Sequence, residues 1–142
     1  MKEIFIFCLL IGATSCVGCQ SSTNLELKRA LFWEAINHEV AMQQFQICSL
    51  PCQNIYLFDY GNIMPEVVYS EDVCDKSVMW YNTASLDHPT PSSLVLYRFD
   101  LDDDGAILSM TRPYSGAAVT FIFKAAISGG SFNLVSTEVG TF

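Results

Sequence analysis

Basic residues are scarce in this chain. Lys and Arg number 7 against 15 Asp and Glu, for a net charge of −8. Beyond Lys2 they are Lys28, Arg29, Lys76, Arg98, Arg112 and Lys124, and only the first two of these adjoin. Phosphate binding needs clustered Lys and Arg, so nucleic acid is excluded as a partner. Histidine is scarcer still, with only His38 and His88. Gly-x-Ser-x-Gly elbows, P-loops and dinucleotide-type glycine patterns are absent, so nothing marks the chain as a hydrolase or nucleotide enzyme. The apolar run Ile4–Ile11 is far shorter than the ~20 residues a membrane-spanning helix requires. Charged residues are only 15% of the chain, while aromatics reach 13% and hydrophobics 51%. That is not a disordered composition; it suits one packed, strand-rich domain.

The N-terminus reads as an address. Lys2 supplies a positive start, Ile4–Ile11 an apolar stretch, and Gly12-Ala13-Thr14-Ser15 the small residues of a secretory signal. Ala13-Thr14-Ser15-Cys16 follows, and Cys16-Val17-Gly18-Cys19 offers a second version of the same ending. This segment, over the first 22 residues or so, resembles a bacterial lipoprotein signal with its lipobox. Both endings depart from the usual Leu at the first lipobox position. The resemblance implies cleavage before Cys16, or alternatively Cys19, with that cysteine lipidated (palmitate included), and a domain at 19–142 following a signal at 1–18. It further implies an anchor of several acyl chains, which holds a membrane where one chain does not. Neither Val17 nor Gln20 is the Asp that goes with inner-membrane retention in the family. The expected location is the outer membrane facing the periplasm; ordinary cleavage and free secretion is the alternative.

Lipidation at Cys16 leaves Cys19, Cys48, Cys52 and Cys74 as disulfide candidates, an even set suited to an oxidising compartment. Lipidation at Cys19 would leave one thiol over. Cys48 and Cys52 are not spaced as a Cys-x-x-Cys redox motif, and Glu71, Asp72 and Asp75 around Cys74 disfavour a zinc-binding thiolate.

Thr23-Asn24-Leu25-Glu26 has the form of a capping box. The absence of Pro and Gly to Gln46, with Leu27, Leu31, Ala35 and His38 on one stripe, predicts one long helix over 23–47. Pro51 follows its end. Strands are expected at 54–60, 66–70, 73–81, 94–101, 106–111, 117–127 and 131–139. In 94–101, Val95, Tyr97, Phe99 and Leu101 alternate with polar residues; in 117–127, Val119, Phe121, Phe123 and Ile127 face one way. Asp102–Gly105 and Ser128-Gly129-Gly130 are turn sequences, Asp-Gly tolerating positive φ. The fold class expected is α+β, one long N-terminal helix packed on a curved antiparallel sheet of about 5–7 strands, with a small β-barrel crossed by the helix as the alternative.

Asp100, Asp102, Asp104 and Gly105 give the opening of a calcium loop. At the twelfth position counted from Asp100, where an EF-hand needs Glu, stands Thr111, and the flanks are strand-like. The plainer reading is a charged hairpin turn. His38 sits near the apolar stripe of the helix and His88 in a loop. No catalytic residue, resident metal or cofactor is therefore expected. The function these observations suggest is a small acidic binding module of the cell envelope, of inhibitor or immunity type, with a basic protein as partner. A passive envelope component and an enzyme with an unrecognised site are the alternatives.

Overall fold

The computed structural model describes residues 24–64, 71–82 and 88–141. The expected signal, Cys16, Cys19, the cap residue Thr23 and the expected strand at 66–70 lie outside them. The chain divides between Ala30 and Leu31. In the first unit, residues 24–30 are helical. The second unit, Leu31–Phe142, holds the remaining elements.

The long helix expected over 23–47 is not formed; it is replaced by two short ones. The first, α1, covers residues 24–36 and the second, α2, Glu39–Phe45. Asn37 ends α1 by donating its Nδ2 to the Trp33 carbonyl at 2.9 Å. His38 is extended, at φ −69° and ψ 142°, and its Nδ1 accepts from the Val40 N–H as the N-cap of α2. The reason for the break lies in helical phase. Phe32 and Ile36 are fully buried. Positions seven residues further on a continuous helix fall on nearly the same side, and here they are Glu39 and Gln43. The break turns those polar residues outward and puts Ala41 and Phe45 into the core instead. Gln46, in the left-handed region at φ 52°, closes α2, and a 3-10 turn follows at Ile47–Ser49.

The sheet has seven strands: β1 Asn54–Asp59, β2 Asp72–Val73, β3 Lys76–Asn82, β4 Ser93–Leu101, β5 Gly105–Arg112, β6 Ala117–Ala125 and β7 Phe132–Thr141. Their order is β2-β3-β1-β4-β5-β6-β7, curled into a half-barrel. The architecture is α+β as expected, but the sheet is mixed rather than antiparallel. β1 runs parallel to both β3 and β4, and the other pairings are antiparallel. A strand with parallel neighbours on both sides is an interior strand that must be apolar on both faces. β1 meets that demand, with Ile55 and Leu57 on one face and Tyr56 and Phe58 on the other.

The single strand expected at 73–81 is cut by Cys74 and Asp75, both at positive φ, which fold β2 back on β3. In β4 a bulge between Leu96 and Arg98 changes the expected alternation. Leu94, Leu96 and Phe99 are buried while Tyr97 stands out. In β6, Val119, Phe121 and Phe123 face inward as expected, but Ile127 lies past the strand end and is fully exposed. The acidic turn owes its shape to Asp102, whose Oδ1 accepts from the N–H groups of Asp104 and Gly105, both at 2.9 Å. Gly105 is required there by close approach, not by positive φ: a Cβ would come within 2.5 Å of the Phe123 carbonyl oxygen.

Cys48 and Cys74 form a disulfide, with Cα atoms 5.1 Å apart at a sequence separation of 26. It ties the 3-10 turn after α2 to the β2–β3 turn, and the Met42 sulfur lies 3.7 and 3.5 Å from its two sulfurs. Cys52 is a free thiol. Closing a loop of this length stabilises by about 3.5 kcal/mol in the chain-entropy model. Chemical denaturation with and without reductant should show a loss of about that size, and Cys48→Ser should reproduce it in the absence of reductant. Cys52→Ser should leave the reductant-sensitive difference intact.

Candidate functional site

Strand parity divides the sheet into two unlike faces. On one, Ile55, Leu57, Leu94, Leu96, Leu108, Met110, Val119, Phe121 and Phe123 are buried. Residues 31–36 of α1 and the α2 segment cover this side. Phe32 of α1 meets Trp80 of β3 edge-on at 5.3 Å, and His38 meets Phe121 edge-on at 5.8 Å.

Among the described residues no helix lies over the opposite face. The register places Tyr56 beside Met79 and Phe58 beside Tyr81, and Phe58 lies beside Val95 on its other flank. Tyr81 stacks on Phe58 at 5.5 Å and lies 6.2 Å from Tyr56. Met79 and Tyr81 are each 42% exposed, and Tyr97, pushed out by the β4 bulge, is 45% exposed. These side chains form a contiguous aromatic surface. It continues into a cleft of about 570 Å³ lined by Tyr60, Val95, Tyr97, Thr111, Pro113, Ala118 and Thr141. Charges on this face are few. Arg98 is held by Asp100 at 2.6 Å, and Lys124, Asp72 and Glu138 stand further out. An open aromatic surface of this kind, apolar in body with hydroxyls at its tips, is suited to protein contact.

Where β1 and β3 end side by side, a buried carboxylate organises the chain. Asp59 is fully buried, and its two oxygens accept from the Ile63 N–H at 2.9 Å and the Met64 N–H at 2.7 Å. Between them Gly61 and Asn62 turn through positive φ. Asn62 accepts from Asn82 at 2.6 Å, and Asn82 accepts from the Trp80 indole at 2.9 Å. This carboxylate is therefore engaged in building the turn that carries Tyr60 to the edge of the cleft.

At one end of the sheet, on the helix side, Arg112 is only 6% exposed. Its Nε donates to the Pro91 carbonyl at 2.8 Å, and its guanidinium carbon lies 6.0 Å from the centre of the Tyr114 ring. It lines a second cavity, of about 460 Å³.

Of the residues singled out by sequence, Cys48 and Cys74 are brought together and Cys52 is left apart. His38 is a helix cap and His88 an exposed loop residue. Asp100 is paired with Arg98 and Asp102 is engaged in its own turn; among the described residues no three His, Cys, Asp or Glu side chains gather to hold a metal. The aromatic face, Asp59 and Arg112 were not anticipated. The first had a signal in the sequence: Tyr56, Phe58 and Tyr60 interleave with Ile55 and Leu57, a strand apolar on both sides. Compared with models of known families, with curated proteins and with solved structures, the chain matches none.

Removing the Asp59 carboxylate would strand two backbone donors in or near the core. Asp59→Ala should cost about 3 kcal/mol in urea unfolding, with Asp59→Asn, which keeps one acceptor oxygen, falling between it and the parent.

Proposed function

We propose that this chain is a binding module of the cell envelope, and that a basic protein docks on the helix-free aromatic face of its sheet. The observation that carries this reading is the run of Tyr56, Phe58, Met79, Tyr81 and Tyr97 across β1, β3 and β4, continuous with the apolar cleft. Soluble domains rarely leave such an apolar surface open unless something binds there, and tyrosines are among the residues that carry most binding energy in interfaces. The charge of −8 supplies the choice of partner: it favours encounter with a cationic protein and repels acidic ones. Inhibitor and immunity-type proteins that neutralise a basic hydrolase fit these features by analogy of size, charge and compartment.

The compartment rests on the N-terminal resemblance to lipoprotein signals, with cleavage and lipidation at Cys16, or at Cys19, and an outer-membrane anchor facing the periplasm. The Cys48–Cys74 disulfide is consistent with an oxidising location.

The test uses the immobilised protein and an envelope extract from its host. A basic protein should be retained at low salt and released as exposed charges are screened. The double variant Tyr81→Ala/Tyr97→Ala, both positions being solvent-exposed, should keep its melting temperature and bind that protein about a hundredfold more weakly. Retention indifferent to salt and unchanged in the double variant would refute the docking face.

A further inference from the structure

We infer that the cavity beneath Arg112 is a carboxylate-binding site, separate from the aromatic face. The cavity is lined by Arg112, Gln44, Gln46, Ser115, Val139 and Thr141, among others. Arg112 is the one cation among these six. It is nine-tenths buried and spends only its Nε, on the Pro91 carbonyl. Among the described residues no carboxylate lies within ion-pair reach of it, and none of them supplies an acceptor to the two terminal nitrogens of its guanidinium. Its terminal nitrogens stay open to the cavity rather than sealed in the core, and the planar pair of terminal N–H groups presents the fork that a carboxylate fills with two parallel hydrogen bonds.

The rest of the lining narrows the class. Gln44, Gln46, Ser115 and Thr141 are neutral hydrogen-bonding side chains, so the site offers one positive charge and several uncharged partners. That set matches a singly charged carboxylate better than a doubly charged phosphate. Val139 gives an apolar wall for the group that carries it. The volume of about 460 Å³ lies in the range of small-ligand sites. The acid can arrive in two ways: as a small free carboxylate, or as the C-terminus of a peptide lying near β7, the edge strand on whose last residues the cavity opens.

The purified, nitrogen-15-labelled chain is titrated in NMR with sodium propionate, propionamide and sodium chloride. The backbone signals of Gln46, Ser115 and Val139, which line this cavity and not the cleft of the aromatic face, should move saturably with propionate and not with propionamide or chloride. Arg112→Lys, which keeps the charge but loses the fork, should bind at least about tenfold more weakly. Acetyl-alanyl-valine and its C-terminal amide distinguish the source. Tighter binding of the peptide acid, with no binding of its amide, assigns a peptide terminus; equal binding of propionate assigns a small free acid. Identical shifts with propionamide, or no saturation up to about 100 mM propionate, overturn the inference. These comparisons use the parent protein, so they stand even if Arg112→Lys does not fold. They do not involve Tyr81 or Tyr97, so the docking face is tested separately.

Discussion

Strand β1 has to hide two faces at once, and most of the remaining structure can be traced to that demand. With parallel partners on both sides it cannot lie at an edge. Ile55 and Leu57 are fully buried on the side where the broken helical segment packs, through Phe32 against Trp80 and His38 against Phe121. Tyr56 and Phe58 on the other side receive only partial cover, from Tyr81 stacking and from their strand neighbours. The helix break follows from the same demand. A continuous helix would carry Glu39 and Gln43 toward the core, and the Asn37–His38 interruption changes the phase so that Ala41 and Phe45 arrive there. The disulfide then fixes the end of this segment to the β2–β3 turn, next to β1's parallel neighbour.

Much of the sheet was legible in the sequence because its second half obeys local rules. β4 to β7 form a meander with turns at Asp102–Gly105 and at Ser128-Gly129-Gly130, and hydrophobic alternation places β5 and β6 well. What was not legible depends on pairing across distance. Parallel alignment of β1 with β3 and β4 leaves no local trace apart from the two-sided apolarity of 54–58. The helix interruption was hidden because Asn37 and His38 are tolerated within helices, and only the burial of Phe32 and Ile36 shows why a break is better. The β4 bulge likewise breaks the alternation that grouped Tyr97 with Phe99 and leaves Tyr97 at the surface. Cys48 and Cys74 were among four candidates, and spacing alone gave no pairing; Cys19 lies outside the described residues.

The two candidate surfaces follow from the same geometry and differ in chemistry. The helix-free face is broad and aromatic, with its few charges at the periphery, which suits a macromolecular partner. The cavity at the sheet end is small and polar around a buried guanidinium, which suits a single functional group. Neither was marked by a sequence motif, because each gathers residues from several strands and, for the cavity, from α2 as well. The acidic turn illustrates the converse. Asp100, Asp102 and Asp104 resemble a ligand set in sequence, yet Asp100 and Asp102 are engaged with Arg98 and with the turn itself.

Among the described residues the sheet has two unlike sides, one closed by helix and the other open. Hydroxyl-radical footprinting of the purified protein, read by mass spectrometry, tests this arrangement most directly, because Met and Tyr report on both sides at once. Met79, Tyr81 and Tyr97 should oxidise rapidly, with Met64, Met110, Phe45 and Phe121 protected. Protection of Met79 and Tyr81 together with ready oxidation of Met110 and Phe121 would mean that the helices cover the other face, and would contradict it.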